Sequence, residues 1–244
     1  MTLHKHTIMN EFIINLDTEI FLWLNSIHSI YWDVVMKIIS GRLTWGVMYL
    51  FLIYAIIRTF GWKTTLVMVL MTIVTIVLAD QITASILRPI FERMRPSNPD
   101  NPISGMVHVV NNYRGGRFGF PSSHAANTFA CATMMSLLFW RWRFSLFMIL
   151  WAILVCYSRI YLGVHYPGDL LAGTVIGAMC GALTYMCGAF MTRAWGGNLR
   201  PRKQALIRTT NLEGLNVVYH PVDITIGSGI ATILFILLFS SAIV

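Results

Sequence analysis

The sequence predicts an all-α fold: a polytopic transmembrane helical bundle of about six spans, with an amphipathic interfacial segment at its N-terminus. Three observations carry that reading. Of 244 residues, 56% are hydrophobic and only 11% are charged, against about 25% charged in a soluble domain. The apolar residues gather in stretches close to the ~20 residues that a helix needs to cross a bilayer. The connections between several of these stretches are short and basic, which is the pattern that sets membrane orientation.

In chain order, spans are expected at Leu43–Arg58, Thr64–Leu87, Pro121–Trp140, Arg143–Leu162, Asp169–Thr192 and Ile224–Val244. The first is short. The second contains Asp80, an ionisable residue inside a span and so a functional candidate by default; it lies too deep to reach the same ligand as Arg88 and is expected to hydrogen-bond between helices. The connections at Arg58/Lys63, at Arg141/Arg143 and from Arg193 through Arg208 fall on one side, expected to be cytoplasmic. The stretch from Arg88 to Phe120, rich in Pro, Asn, Gly and Arg, reads as a loop on the opposite face, together with the turn at His165–Asp169. Its arginines break the positive-inside pattern, so another task is expected of them.

Ahead of the spans, Ile20, Leu24, Ile27, Tyr31, Val34, Val35 and Ile38 recur at helical three-and-four spacing. Asp17, Glu19, Asn25, Asp33 and Lys37 interrupt or oppose the stripe. One or two amphipathic helices lying in the interface are expected there. The side of the N-terminus stays open, inside if this segment spans and outside if it does not. The chain thus divides into an N-terminal interfacial segment (1–42), a core of five spans (43–192), and a basic cytoplasmic loop with a C-terminal span (193–244). No cleavable signal peptide is expected, since the N-terminus is polar and its first apolar stretch holds Asp17 and Glu19.

The net charge of +8 does not point to nucleic acid, because the basic residues sit between apolar runs rather than along one solvated face. Cys131, Cys156, Cys180 and Cys187 all fall inside apolar segments without metal-type spacing, so packed thiols are expected, with no zinc site or disulfide framework.

Three clusters end spans on the outer face. Arg88 and Arg95 bracket six residues before Pro96. Pro121-Ser122-Ser123-His124 follows the glycine-rich run Gly115–Gly119. Ser158-Arg159 leads to His165 and then to Asp169. Singly, each has an ordinary explanation: arginines that snorkel, a serine N-cap, an interfacial His–Asp pair. Together they place three arginines, two histidines and an aspartate at one membrane depth, which is costly unless these groups are satisfied or used.

A phosphate would satisfy them. Planar guanidinium forks match its oxygens, so Arg88, Arg95 and Arg159 would neutralise charge in the bound and transition states. Ser122 and Ser123, where a helix begins, offer N–H groups and hydroxyls to an oxyanion. A neutral His165 imidazole can attack phosphorus if Asp169 accepts its other N–H and fixes the tautomer. His124 can protonate the leaving alkoxide and later activate water. No carboxylate cluster suits magnesium or zinc, so metal-independent chemistry without a cofactor is expected.

These clusters resemble the three-part signature of the type 2 phosphatidic acid phosphatase superfamily, which includes the vanadium haloperoxidases: Lys-x6-Arg-Pro, Pro-Ser-Gly-His and Ser-Arg-x5-His-x3-Asp. Ser158-Arg159 to His165 and Asp169 fits throughout. The first cluster has Arg88 where lysine is usual, and the second has Ser123 where glycine is usual. The signature covers Arg88 to Asp169. The resemblance implies a helical membrane fold, a phosphatase core, His165 as nucleophile with Asp169 as partner, His124 as acid and base, and the arginines and serines as phosphate ligands.

It also implies a lipid-linked phosphate or pyrophosphate as substrate. The first expectations are undecaprenyl pyrophosphate and a lipid A phosphate, with phosphatidic acid or phosphatidylglycerol phosphate as the alternative. A haloperoxidase is disfavoured by the spans, and a purely binding or transporting protein by the intact histidines. A bacterial inner membrane with the site on the periplasmic face is the expected location.

Overall fold

A computed structural model describes residues 2–201, 205–210 and 216–243. All six expected spans are helices: α3 (Gly46–Phe60), α4 (Trp62–Asp80), α6 (Ser123–Phe139), α7 (Trp142–Tyr161), α8 (Pro167–Ala194) and α9 (Pro221–Ile243). By length and composition, Trp62–Phe91, Trp142–Tyr161, Pro167–Ala194 and Pro221–Ile243 can cross a membrane, and Gly46–Phe60 is a shorter apolar helix. The fold is an all-α transmembrane bundle.

Local chemistry sets the joints. Gly61 separates α3 from α4 at φ +89°, in the left-handed region that glycine reaches without Cβ strain. α4 does not stop at Asp80. It runs through a π-helical segment, Gln81–Leu87, into the short α5 (Arg88–Phe91) and forms one helix of 30 residues. π-helical insertions of this kind are rare and frequently sit at functional sites. α6 is capped by Ser122, whose Oγ accepts the Ala125 N–H at 3.5 Å. α8 opens on Pro167, whose missing N–H costs nothing in a first turn.

α6 and α8 form the central pair. Along their seam, a Cβ on Gly173, Gly177 or Gly181 would run into the Ser122, Ala126 or Ala130 backbone respectively. Small residues at four-residue spacing let two helix backbones close up where hydrocarbon supplies no hydrophobic driving force. The main apolar core lies beside this seam, among residues such as Met48, Met68, Met134, Phe144 and Trp151.

The N-terminal segment is helical as expected but departs from expectation in where it begins and in which face it docks. It is two helices, α1 (Thr2–Ser26) and α2 (Ile30–Ile39), and α1 begins well upstream of the apolar stripe. Ile20 and Ile27 are exposed, whereas Asp17, Phe21 and Asn25 form the docked face. Polar needs explain the choice. Asn25 Nδ2 donates to the His108, Ile160 and Tyr161 carbonyls, and its Oδ1 accepts the His108 N–H at 2.8 Å. In α2, Asp33 accepts from the Tyr161 hydroxyl at 2.7 Å and pairs with His108 Nε2 at 2.8 Å. Three of the residues that interrupt the apolar pattern, Asp17, Asn25 and Asp33, thus anchor the segment.

A two-stranded antiparallel hairpin, β1 (Ile207–Thr210) with β2 (Asn216–Tyr219), was not anticipated; its register pairs Ile207 with Tyr219. Arg202 and Lys203 of the expected basic loop lie outside the described residues.

Candidate active site

The stretch between α5 and α6 is irregular but tightly folded. Arg95 N–H donates to the Arg117 carbonyl at 3.1 Å, Gly119 N–H to the Arg93 carbonyl at 2.9 Å, and Ser97 N–H to the Gly163 carbonyl at 3.0 Å. Asn101 Nδ2 holds both the Arg95 carbonyl and the Tyr166 hydroxyl at 3.0 Å. These bonds fix the loop on the α7–α8 turn and aim Arg95 into the site.

The three arginines lie close together and are only partly satisfied. Arg88 Nη2 donates to Ser123 Oγ at 2.9 Å. Arg95 Nη1 donates to the Val164 carbonyl at 2.9 Å and faces His165 Nε2 at 2.8 Å. Arg159 Nη1 bonds Ser40 Oγ, and its Nη2 bonds the Tyr113 hydroxyl at 3.1 Å. In all three, the Nε atom is buried and has no partner among the described residues. Three buried guanidinium donors left open at one place suit a polyanion that fits among them.

His165 is 1% exposed and Asp169 is fully buried. His165 Nδ1 faces Asp169 Oδ2 at 3.3 Å, and the same oxygen accepts the Tyr166 N–H at 3.1 Å. With Arg95 donating toward Nε2, the consistent tautomer keeps the proton on Nδ1 and leaves a lone pair on Nε2. Burial holds the His165 pKa well below its ordinary 6.5, and the charges of Arg95, Arg159 and Arg88 push the same way. The ring is therefore neutral, as a nucleophile requires. Burial, then Arg88 and Arg159, bring Arg95 down to about 10, which still leaves it charged at neutral pH. Gly119 passes so close that a Cβ there would press on Arg95 and on Asp169 Oδ2, both at 3.1 Å.

His124 opens α6, and its ring has no hydrogen-bond partner among the described residues. Ser122 differs from the sequence expectation. Its N–H is spent on the Asp169 carbonyl at 3.0 Å, its hydroxyl caps α6, and the residue is fully buried. Ser123 remains, its Oγ shared between Arg88 and Thr83 Oγ1.

Sequence reasoning missed Arg93 and Asp17. Arg93 Nη1 donates to Asp169 Oδ1 at 2.9 Å, and its Nη2 pairs with Asp17 at 2.6 Å. Asp17 also accepts the Gly168 N–H at 2.7 Å. A third arginine inside the first cluster was the available signal for Arg93. Ser40 and Tyr113, the partners of Arg159, carried none. Asp80 makes no side-chain hydrogen bond among the described residues, contrary to its expected interhelical role; it lines a cavity that also reaches His124.

Residues 69–193 match the model of the PAP2 superfamily. The chain is 47% identical over 177 residues to a lipid A 4'-phosphatase of Bacteroides thetaiotaomicron, covering 72% of this chain and 79% of that protein. It is 32% identical to a lipid A 4'-phosphatase of Porphyromonas gingivalis, covering 77% and 79%. A shorter match, 30% identical over 48% of this chain and 51% of the relative, is to an undecaprenyl-diphosphatase of Sulfolobus acidocaldarius.

Proposed function

This chain belongs to the PAP2 superfamily and is an integral membrane lipid phosphatase; from that premise we propose that it removes a phosphate from a lipid A-type glycolipid through a phosphohistidine at His165. The observation that carries the mechanism is the trio of buried Nε atoms on Arg88, Arg95 and Arg159, without partners among the described residues, beside a neutral His165. The lipid A reading rests on two relatives matched over more than two thirds of both chains. The undecaprenyl-diphosphatase matches over about half.

In the proposed cycle, phosphate enters among the arginines and displaces the Arg95–His165 contact. His165 Nε2 forms a bond to phosphorus while the phosphorus–oxygen bond to the lipid breaks. Asp169 accepts the Nδ1 proton's hydrogen bond and stabilises the charge that the ring gains. His124 gives its proton to the departing oxygen. Water then attacks phosphorus, His124 takes a proton from it, and the histidine–phosphorus bond breaks to release inorganic phosphate. The arginines supply the positive charge that a metal supplies elsewhere. The proposed location is a bacterial inner membrane with this site on the periplasmic side.

The test is phosphate release by detergent-solubilised protein from lipid A, undecaprenyl pyrophosphate, phosphatidic acid and phosphatidylglycerol phosphate, with EDTA present. Lipid A should be the best substrate, and orthovanadate, a trigonal-bipyramidal mimic of the transferring group, should inhibit. Activity lost to EDTA and restored by magnesium would overturn the mechanism. A better rate on undecaprenyl pyrophosphate would overturn the substrate.

A further inference from the structure

A cavity of about 540 Å³ lies between α3, α4, α6 and α7. Ser123 and His124 form part of its wall, whereas Arg88, Arg95, Arg159 and His165 do not. His124 therefore stands between the anion cradle and the cavity. With His124 as the acid of the proposed cycle, its proton would be delivered on the cavity side, which makes the cavity the seat that the leaving group would take. Its far wall is apolar, with Trp45, Leu52, Ile56 and Met135 among the lining side chains, and suits acyl chains.

The wall also holds groups that an acyl chain cannot satisfy. Asp80 sits inside the 30-residue apolar helix Trp62–Phe91 and makes no side-chain hydrogen bond or ion pair among the described residues. Asn127 lies three residues after His124, which puts both on one face of α6. Its Oδ1 is buried without a hydrogen-bond partner among the described residues. Both functions are hydrogen-bond acceptors, and both residues line the cavity. Asp80 is half-buried and Asn127 Oδ1 is buried, and acceptors left without donors on a mostly apolar wall favour a ligand that brings donors.

We propose that Asp80 and Asn127 are a recognition site for N–H and O–H donors on the leaving group, the chemistry of an acylated amino-sugar ring. The proposal rests on the functional reading above and assigns residues to it. A prenyl chain and a diacylglycerol have no such donors next to the phosphoester, and either would leave both acceptors empty. A site built to bond O–H or N–H groups rejects analogues that lack them far more strongly than an apolar wall rejects an extra hydroxyl. The competing occupant is a prenyl diphosphate, whose leaving phosphate would instead turn to Arg42, an exposed cation on the same wall.

The test measures kcat/KM of the full chain and its Asp80→Asn, Asn127→Leu and Arg42→Ala variants. The probes are lipid A, undecaprenyl phosphate and undecaprenyl diphosphate. Wild type should favour lipid A. Asp80→Asn and Asn127→Leu should each reduce that preference over undecaprenyl phosphate by about 10–100-fold, the usual weight of a hydrogen bond to a charged or buried group. Turnover of undecaprenyl phosphate serves as the control for folding, and Asp80→Asn keeps the side chain's shape should Asn127→Leu fail it. A wild type that prefers lipid A, with that preference unchanged in a folded Asp80→Asn variant, overturns the recognition site alone. A wild type that cleaves undecaprenyl diphosphate in preference to lipid A, and loses this with Arg42→Ala, overturns the functional reading and the site together.

Discussion

Arg93 donates to Asp169 Oδ1 at 2.9 Å, so the carboxylate that faces His165 is gripped from its other side. Arg93 is itself held by Asp17 from α1, which also caps the start of α8 through the Gly168 N–H. The N-terminal helix thereby reaches the candidate chemistry through one guanidinium.

Asp17→Asn should lower kcat by roughly 10–100-fold with little change in KM, since a misplaced catalytic group costs about that much per ångström. Arg93→Met should do the same, and the double variant should be no worse than Arg93→Met, because both act through Asp169. Steady-state kinetics on a lipid phosphate decides it. Additive losses would mean that Asp17 acts elsewhere.

His165→Ala should abolish turnover while the protein remains folded and membrane-inserted, and rapid acid quench of wild type should trap phosphate on His165. Substantial activity in the variant would remove it as nucleophile.

The acid limb of kcat/KM, which reports the free enzyme, should fall below the ordinary histidine value of about 6.5. Burial remains after Arg95→Met but a neighbouring charge is lost, so the limb should move upward toward 6.5 without reaching it. The stability sign follows from the same shift. A folded-state pKa below the unfolded value gives a contribution fully present above about pH 6.5 and lost as pH falls. Thermal melts in detergent across acid pH would show it.

His124→Ala should lower kcat by about 10²–10⁴-fold, the usual share of a general acid, with KM little changed. Arg159→Ala should raise KM as kcat falls, because its charge meets the phosphate both bound and in transit. A nitrophenyl phosphate, whose leaving group needs no proton, should recover much of the first loss and little of the second. Equal rescue would make His124 one more phosphate ligand.

For orientation, Gly116→Cys is a suitable probe, exposed and with open space at its Cβ, and Asn198→Cys is exposed at the other end of the bundle. A membrane-impermeant thiol reagent should label the first from outside and not the second. Reversed labelling would put the candidate chemistry in the cytoplasm.

The helices were legible because hydrocarbon demands long apolar runs, and Leu43–Arg58 or Arg143–Leu162 differ from the observed α3 and α7 only at their ends. The clusters at Arg88–Arg95, Ser122–His124 and Arg159–Asp169 were legible because ionisable groups at the ends of such runs demand a use. Asp17 was not. Its partner lies 76 residues away, and a carboxylate on an amphipathic helix reads as solvated until Arg93 is seen beside it. Ser122 misled for the opposite reason: no local pattern reveals that its N–H is spent on the Asp169 carbonyl. The π-helical turn after Asp80 has no compositional mark at all.

The glycine seam carries an evolutionary consequence. Because α6 and α8 meet backbone to backbone at Gly173, Gly177 and Gly181, the spacing between His124 at the head of one helix and Asp169 at the head of the other has almost no slack to vary. Drift in substrate range is therefore confined to the walls that can give way, the cavity faces of α3 and α4. A lineage could exchange one lipid for another there, residue by residue, while the candidate reacting groups stayed in register.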